Sequence, residues 1–268
     1  MGISAFLPVY NEENRIKFAL NSLIWCDEVI VLDKGSTDKT KQICLEFQNV
    51  RFFSVPNSVD MDVELSFFLE KVKSDWFIIF TASDIIHPTL ANEIKNVLSY
   101  TEASIISIPF RRIVLGIDSK RSPWYTDYNP IVFKKSEVYI DKKEVHGALK
   151  STGSIFKVTN CDDFPMFHLT HECVDILMKR HIRYWEGEAK EGSRNLDSSF
   201  RDFFKALFNV LFIKKTYLLG YSGIALIFAF LSYKMMSFVY KWDYNNNTKF
   251  RYNIIRENIQ IEWDKTIK

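Results

Sequence analysis

Cysteine, proline and glycine are all scarce in this chain of 268 residues, at four, seven and nine. So few chain breakers exclude a collagen-like repeat, a polar linker and a disordered tail, and a composition that is 47% hydrophobic and 25% charged belongs to a chain that buries a core. Cys26, Cys44, Cys161 and Cys173 form no Cys-x-x-Cys pair, so they read as reduced, mostly buried thiols in a reducing cytosol. A charge excess is missing too. Thirty-five Lys and Arg against thirty-three Asp and Glu leave a net charge of +2, too little for a protein that lives on phosphate backbones, and nucleic acid is not expected as a partner. The first residues lack a cationic segment followed by an apolar stretch and a small-residue cleavage site, so no export signal is read there.

What is present in the first hundred residues is alternation. Short β-rich runs at Ile3–Val9, Glu28–Asp33, Val50–Val55 and Trp76–Phe80 are interleaved with helical patterns over Glu13–Trp25, Asp38–Phe47, Met61–Val72 and Pro88–Ser99. This β-α-β-α order predicts an α/β fold with a mainly parallel, three-layer sheet, whose ligands bind beyond the carboxyl ends of the strands. From Ala103 the pattern changes to short strands, Ile105–Pro109, Ile131–Lys134, Val138–Ile140 and Ser154–Val158. Between the first two lies a polar and aromatic loop, Gly116–Asn129, with Arg121, Trp124, Tyr125 and Asp127; a loop of that length in a compact domain is a candidate substrate-facing segment.

After His171 the chain reads as helical. The eighteen residues between Lys215 and Lys234 carry no charge, at the short end of what spans a bilayer core of roughly 30 Å, and Gly220, Ser222, Gly223 and Ser232 interrupt them. Residues 201–268 hold eleven Lys and Arg against five Asp and Glu, so positive charge gathers where the aromatic residues do. A helical subdomain packed on the sheet and a helix hairpin lying in a membrane interface are both open readings. The chain divides on this basis into a domain over 1–200 and a helical, aromatic and basic region over 201–268.

Two loops carry chemistry-bearing residues. The first, Leu7-Pro8-Val9-Tyr10-Asn11-Glu12-Glu13-Asn14, ends a strand at a proline turn; Asn11 as a helix cap and Glu12 and Glu13 as dipole partners explain it without any ligand. The second, Val31-Leu32-Asp33-Lys34-Gly35-Ser36-Thr37-Asp38-Lys39-Thr40, ends a buried strand on a carboxylate beside a Gly-Ser-Thr turn. Asp33 there either contacts a base or ribose, with the turn bringing backbone close, or only supports the approach to a helix.

Together these loops resemble the family 2 glycosyltransferases of the GT-A fold, which open on a Pro-x-Tyr-Asn-Glu turn followed one helix later by an Asp-x-Gly-Ser-x-Asp turn. Within that family the chain most resembles the branch of bacterial lipopolysaccharide-core β-glucosyltransferases, loosely to about residue 240. The resemblance implies that Pro8, Tyr10, Glu12, Asp33, Lys34, Gly35 and Ser36 hold the nucleotide of a nucleotide-sugar donor, usually a uridine diphosphate sugar. It also implies a divalent cation, Mg²⁺ or Mn²⁺, on an Asp-x-Asp after the fourth strand. Here Thr81-Ala82-Ser83-Asp84-Ile85-Ile86-His87-Pro88 follows that strand, and Thr81 and Ser83 stand where the two acids belong. Hydroxyls are poor ligands for a hard cation. Either Asp84 holds a metal with the diphosphate and waters, or the site works without metal with Lys34 or other basic residues offsetting charge, or Asp84 merely caps the helix at Pro88.

On the acceptor side Tyr125-Thr126-Asp127-Tyr128 and Val145-His146-Gly147 resemble a Tyr/Pro–Asp–Tyr stretch and a Val-His-Glu of the branch, with Gly147 replacing the glutamate and Ile131 an arginine. Inverting transfer needs a base for the acceptor hydroxyl; Asp127 is the first candidate and His146 the second, each against a purely structural role. His168 and His171 resemble the His-x-x-His/Tyr boundary before a helix, and no second ligand pair supports zinc. The expected function is inverting transfer of a sugar to a glycan or lipid-linked acceptor by a cytoplasmic enzyme, peripheral or shallowly inserted at the inner membrane. A non-catalytic GT-A scaffold is the alternative, and a sugar nucleotidyltransferase is disfavoured because Pro8-Val9-Tyr10 stands where a Gly-rich, basic loop belongs.

Overall fold

The computed structural model describes residues 2–56, 61–141, 148–191 and 196–267. Two compact units make up the chain: residues 1–118 with 124–170, and residues 119–123 with 171–268. Position 200, the end of the first domain as read from the sequence, falls inside a helix of the second unit.

The first unit is built on β1 (Ile3–Val9), α1 (Ile16–Asn21), β2 (Glu28–Asp33), α2 (Thr40–Cys44), β3 (Val50–Ser54), α3 (Met61–Lys71), β4 (Trp76–Ile79), β5 (Asp84–Ile86), α4 (Pro88–Tyr100), β6 (Ile105–Val114), β7 (Tyr128–Lys134), β8 (Val138–Asp141), β9 (Ala148–Ser151), β10 (Ile155–Lys157) and β11 (Met166–Thr170). Its main sheet runs in the order β3-β2-β1-β4-β7-β6-β11-β5, with β10 beside β6. The β3-β2-β1-β4 part is parallel, while β7 is antiparallel to both neighbours and β5 is antiparallel to β11.

Because side chains alternate across a strand, β1 and β2 divide their apolar residues between two cores. Ala5, Leu7, Val29 and Val31 pack with Ile16 and Leu20 of α1 and with Leu90, Ile94 and Val97 of α4. Phe6, Ile30 and Leu32 pack on the other face with Leu65 and Phe68 of α3. That is a three-layer α/β/α sandwich, and it explains why these strands read as unbroken hydrophobic runs. Cys26 and Cys44 are buried in the first core as free thiols, and burial pushes the Cys44 thiol up to about 12, far from any reactive range.

Several expected elements are shorter than the sequence predicts. The helix expected over 13–25 is reduced to α1: Asn11, Glu12 and Glu13 are tied by their N–H groups to side chains of the second loop and of Thr40, Asn11 holds a left-handed φ of +53°, and residues after Asn21 close into tight turns. The three-residue β5 and the strands β9 and β11 have no counterpart in the sequence pattern, and β6 continues to Val114.

In the second unit α5 (Val174–Glu191), α6 (Leu196–Phe208), α7 (Tyr221–Asn246) and α8 (Thr248–Ile267) follow one another, with a π turn and a 3-10 turn between α6 and α7. His181 and Trp185 of α5 pack against the Tyr233 ring of α7. Trp185 Nε1 donates to the Tyr233 carbonyl at 2.9 Å, and Glu188 accepts from the Tyr233 and Ser237 hydroxyls. Gly223 of α7 is required by close approach, since a Cβ there would lie 2.0 Å from the Thr216 carbonyl oxygen.

α7 is long and apolar enough to cross a membrane by length and composition, yet one side of it, with Gly223, Leu226, Ile227 and Ser237, is buried in the unit. Tyr221, Ile224, Phe228, Met235, Val239 and Trp242 are exposed, and their spacing puts all six on one opposite stripe. Phe200, Phe204 and Phe208 of α6 add an exposed aromatic row at four-residue spacing. From Lys249 to Lys265 every residue of α8 is exposed, including Phe250, Tyr252 and Trp263.

Candidate active site

β1 and β2 lie side by side in register, Val9 opposite Asp33, so the two loops leave the same end of the sheet together. Hydrogen bonds then knit them. Lys34 N–H donates to the Val9 carbonyl at 2.9 Å, Asn11 N–H to Ser36 Oγ at 2.8 Å, and Thr37 N–H to Asn11 Oδ1 at 2.8 Å. Glu12 N–H donates to Thr40 Oγ1 at 2.7 Å, and Glu13 N–H to Asp38 Oδ2 at 3.0 Å. Asn11 holds φ at +53°, a conformation asparagine tolerates better than most residues, so its side chain reaches across the gap instead of capping α1. The ligand-free account of Glu12 and Glu13 as dipole partners also fails: α1 has no acid in its first turn, Glu12 binds Arg15, and Glu13 accepts from Lys39 N–H.

The sequence-predicted donor residues gather at this end. Pro8 faces Leu32 across β1 and β2, beyond Phe6, where the β1–β4 pairing stops; a strand proline, lacking its N–H, fits where one neighbour has diverged. The sheet parts there, which is where open α/β sheets place ligands. Tyr10 is 44% exposed just past the strand end, and Asp33 is 3% exposed with its carboxylate accepting Ser36 N–H at 3.1 Å. Gly35 holds φ at +79°, which that tight turn requires of it, and Ser36 spends its hydroxyl on Asn11 N–H. Lys34 pairs with the buried carboxylate of Glu64. It is therefore committed to charge balance inside the unit and is not the spare cation expected from the sequence.

The turn after β4 holds Thr81, Ser83 and Asp84. Asp84 Oδ2 accepts from Thr81 N–H at 2.7 Å and from Thr81 Oγ1 at 2.9 Å, while Oδ1 lies 2.6 Å from His168 Nδ1. Ser83 Oγ accepts from Arg15 NH1 at 3.0 Å, and Arg15 Nε donates to Glu12 Oε2 at 2.8 Å. Asp84 does not cap the following helix: it starts β5, and the ring of His87 accepts from Thr89 N–H at 3.1 Å in the capping position. The divalent cation implied by the resemblance does not fit these residues. Two ligand positions are hydroxyls, the one carboxylate has both oxygens engaged by protein donors, and a guanidinium sits on Ser83. Among the described residues no group of three or more His, Cys, Asp or Glu forms a metal site.

Asp127 precedes β7 and is exposed; its carbonyl accepts from Phe110 N–H at 2.9 Å. Burial pushes the Tyr125 hydroxyl upward, and its hydrogen bond to the Asp127 carboxylate pushes it further. The ring of Phe110 stacks on His168 at 5.7 Å, so β6 and β11 connect Asp127 to the Asp84 turn. Ile131, at the branch's arginine position, is buried in the first core. His146 lies outside the described residues. His168, in contrast, reads in the sequence only as a boundary residue; nothing there signals its bond to Asp84, because β5 and β11 are joined by pairing 84 residues apart.

Among solved structures, S. aureus TarS matches 90% of this chain at 14% identity with a TM-score of 0.49, this chain covering 54% of that one, about half its length. Residues 1–349 of S. aureus TarS, in complex with UDP-GlcNAc, match with 92% of each chain covered, at 13% identity and a TM-score of 0.49. Glucosyl-3-phosphoglycerate synthase from Mycobacterium tuberculosis, in complex with Mn²⁺, UDP and phosphoglyceric acid, matches 50% of this chain and 56% of its own at 21% identity and a TM-score of 0.37. These likenesses are distant. The assignment itself rests on the family model described as glycosyl transferase family 2, which matches residues 4–160, more than half the chain and the greater part of the first unit. With its GT-A sheet and its paired strand-end loops, the chain belongs to glycosyl transferase family 2.

Proposed function

We propose that this protein transfers a sugar from a UDP-sugar to a glycan or lipid-linked acceptor, with inversion at the anomeric carbon. The observation that carries the reading is the locking of the β1 and β2 loops, through Asn11, Ser36 and Thr37, around a buried Asp33 and an exposed Tyr10. Asp33 accepts from the nucleoside, and Tyr10 offers an aromatic face for stacking on uracil. Asp127 is the base: it takes the acceptor hydroxyl proton as that oxygen forms its bond to the anomeric carbon, and the bond from that carbon to the diphosphate oxygen breaks, releasing UDP.

The acceptor belongs, on this proposal, to cell-envelope polysaccharide or lipopolysaccharide synthesis, as in the branch the sequence resembles. The second unit docks the enzyme at the cytoplasmic face of the membrane, with the α7 stripe and the α6 phenylalanines in the interface. The exposed basic residues Lys205 of α6 and Lys215 of the linker suit an anionic surface.

A non-catalytic scaffold is favoured by one observation, the loss of both acids at Thr81 and Ser83. Donor hydrolysis by purified protein separates the two readings. Slow release of sugar from a UDP-sugar by the wild type, abolished in Asp33→Ala, supports the enzyme; tight UDP binding with no release from any UDP-sugar supports the scaffold.

A further inference from the structure

We infer that this protein binds the diphosphate of its donor without a divalent cation, and that Arg15 is the cationic contact at the turn where the family's metal would stand. The inference rests on the UDP-sugar reading above and departs from the metal dependence that the resemblance implies.

Charge arithmetic supports it first. A pair of acids with a divalent cation contributes no net charge to the site, and a pair of hydroxyls with no cation contributes the same. Thr81 and Ser83 thus remove the metal's ligands and the need for its charge in one step. A divalent ion placed here would have to draw Asp84 away from three hydrogen bonds, from Thr81 N–H, Thr81 Oγ1 and the His168 ring. Buried at 3% exposure, Asp84 has little solvent to compensate for that loss, so it pins the turn and does not open to a ligand.

Geometry then selects the cation. Arg15 leaves the start of α1 and lays its guanidinium on Ser83 Oγ at 3.0 Å, with Glu12 holding Nε at 2.8 Å and binding NH2 as well. Two partners on two loops fix the plane of the group at the place where the β1 and β4 ends diverge. A planar guanidinium offers phosphate oxygens a fork of donors that an ammonium does not, and Arg15 makes its ion pair with Glu12 in the first loop itself, whereas Lys34 is drawn to Glu64, buried on α3. Arg112 adds positive charge nearby, as the register partner of His168 on β6.

The test is calorimetric titration of the full chain with UDP and with uridine, in EDTA and in excess Mn²⁺ or Mg²⁺. The expected result is a UDP affinity that agrees within about twofold across those conditions. Arg15→Gln is expected to weaken UDP by about tenfold or more while leaving uridine binding unchanged, and Arg15→Lys to recover part of the loss. The paired Thr81→Asp and Ser83→Asp variant is expected to acquire cation-dependent UDP binding. A wild-type affinity that rises about tenfold or more with Mn²⁺ overturns cation-free binding. Equal losses of uridine and UDP in Arg15→Gln overturn the role of Arg15. Failure of the wild type to bind uridine as well as UDP in every condition overturns the donor reading itself, and the inference falls with it.

Discussion

Thr37 donates its backbone N–H to the side-chain oxygen of Asn11 at 2.8 Å, and this bond ties the loop after β2 to the loop after β1. Asn11 makes it from a backbone with φ at +53°, so the residue serves both a strained conformation and a cross-loop contact. The two contributions separate by substitution. Asn11→Gly keeps the backbone and loses the bond; Asn11→Ala loses both and is expected to be less stable by about 1 kcal/mol more. Thermal melts should rank wild type above Asn11→Gly and Asn11→Ala lowest, with UDP affinity falling in the same order. Equal melting temperatures for the two variants would show that the left-handed backbone matters little.

Much of this end of the molecule is legible in the sequence because it is local. β1 and β2 have the bounds that the sequence predicts, since each is a short apolar run closed by Pro8 and Tyr10 or by Asp33 and Gly35. What escapes is whatever depends on distant pairing. β5 is three residues long and looks like the approach to a helix; only β11 makes it a strand, and only that pairing brings His168 to Asp84. The predicted first helix begins later than Glu13 for a related reason: the first loop is held against residues about 25 positions on, with Glu12 N–H on Thr40 and Glu13 N–H on Asp38, and regular helix starts only at Ile16. Lys34 misleads because nothing in the sequence shows that Glu64 is buried beside it.

Asp127 bears a sharper prediction. If it takes the acceptor proton, Asp127→Asn should lower kcat by about 10²–10⁴-fold with donor KM little changed, because the amide keeps the shape and the hydrogen bond to Tyr125 but cannot accept a proton. Steady-state kinetics with acceptor present, set beside UDP titration of the same variant, checks it. A variant that binds donor and turns over normally excludes Asp127 as the base.

Acidification should weaken the fold in two stages. Burial lowers the His181 pKa below its ordinary value, so the unfolded chain takes up a proton more readily than the folded one. Stability is intact above about pH 6.5, the ordinary histidine value, and falls as pH drops below it. The charge would enter among the rings of His171, Trp185 and Tyr233. Burial acts upward on Glu28 and Asp38, but hydrogen bonds outweigh it: Lys73 N–H, Arg51 and Ser4 for Glu28, and Thr40 and Glu13 N–H for Asp38. Both carboxyls therefore lie below their ordinary values. Their contribution is present above those values and is lost as pH falls through the depressed ones. Melting temperatures measured from pH 8 to pH 3 should show both stages, and His181→Phe, which cannot titrate, should remove the first. An unchanged slope between pH 7 and pH 5 in that variant would assign the first stage to other groups.

The stripe on α7 makes the membrane proposal testable without deleting any part of the chain. Ile224 and Phe228 are exposed one turn apart, while Leu226 and Ile227 hold the opposite side of the helix in the core of the unit, so the outward pair can be changed without opening that core. Burying each of the two side chains in lipid is worth about 1.5–3 kcal/mol, so replacing both with aspartate should cost vesicle binding by more than about a hundredfold. Flotation with phosphatidylglycerol vesicles should carry the wild type and leave the Ile224→Asp, Phe228→Asp protein behind. Binding to phosphatidylcholine vesicles should be weaker and less sensitive to salt, because exposed Lys205 and Lys215 then have no anionic surface to face. Wild-type protein that ignores both kinds of vesicle, or a variant that floats as well as the wild type, would overturn membrane docking by the stripe.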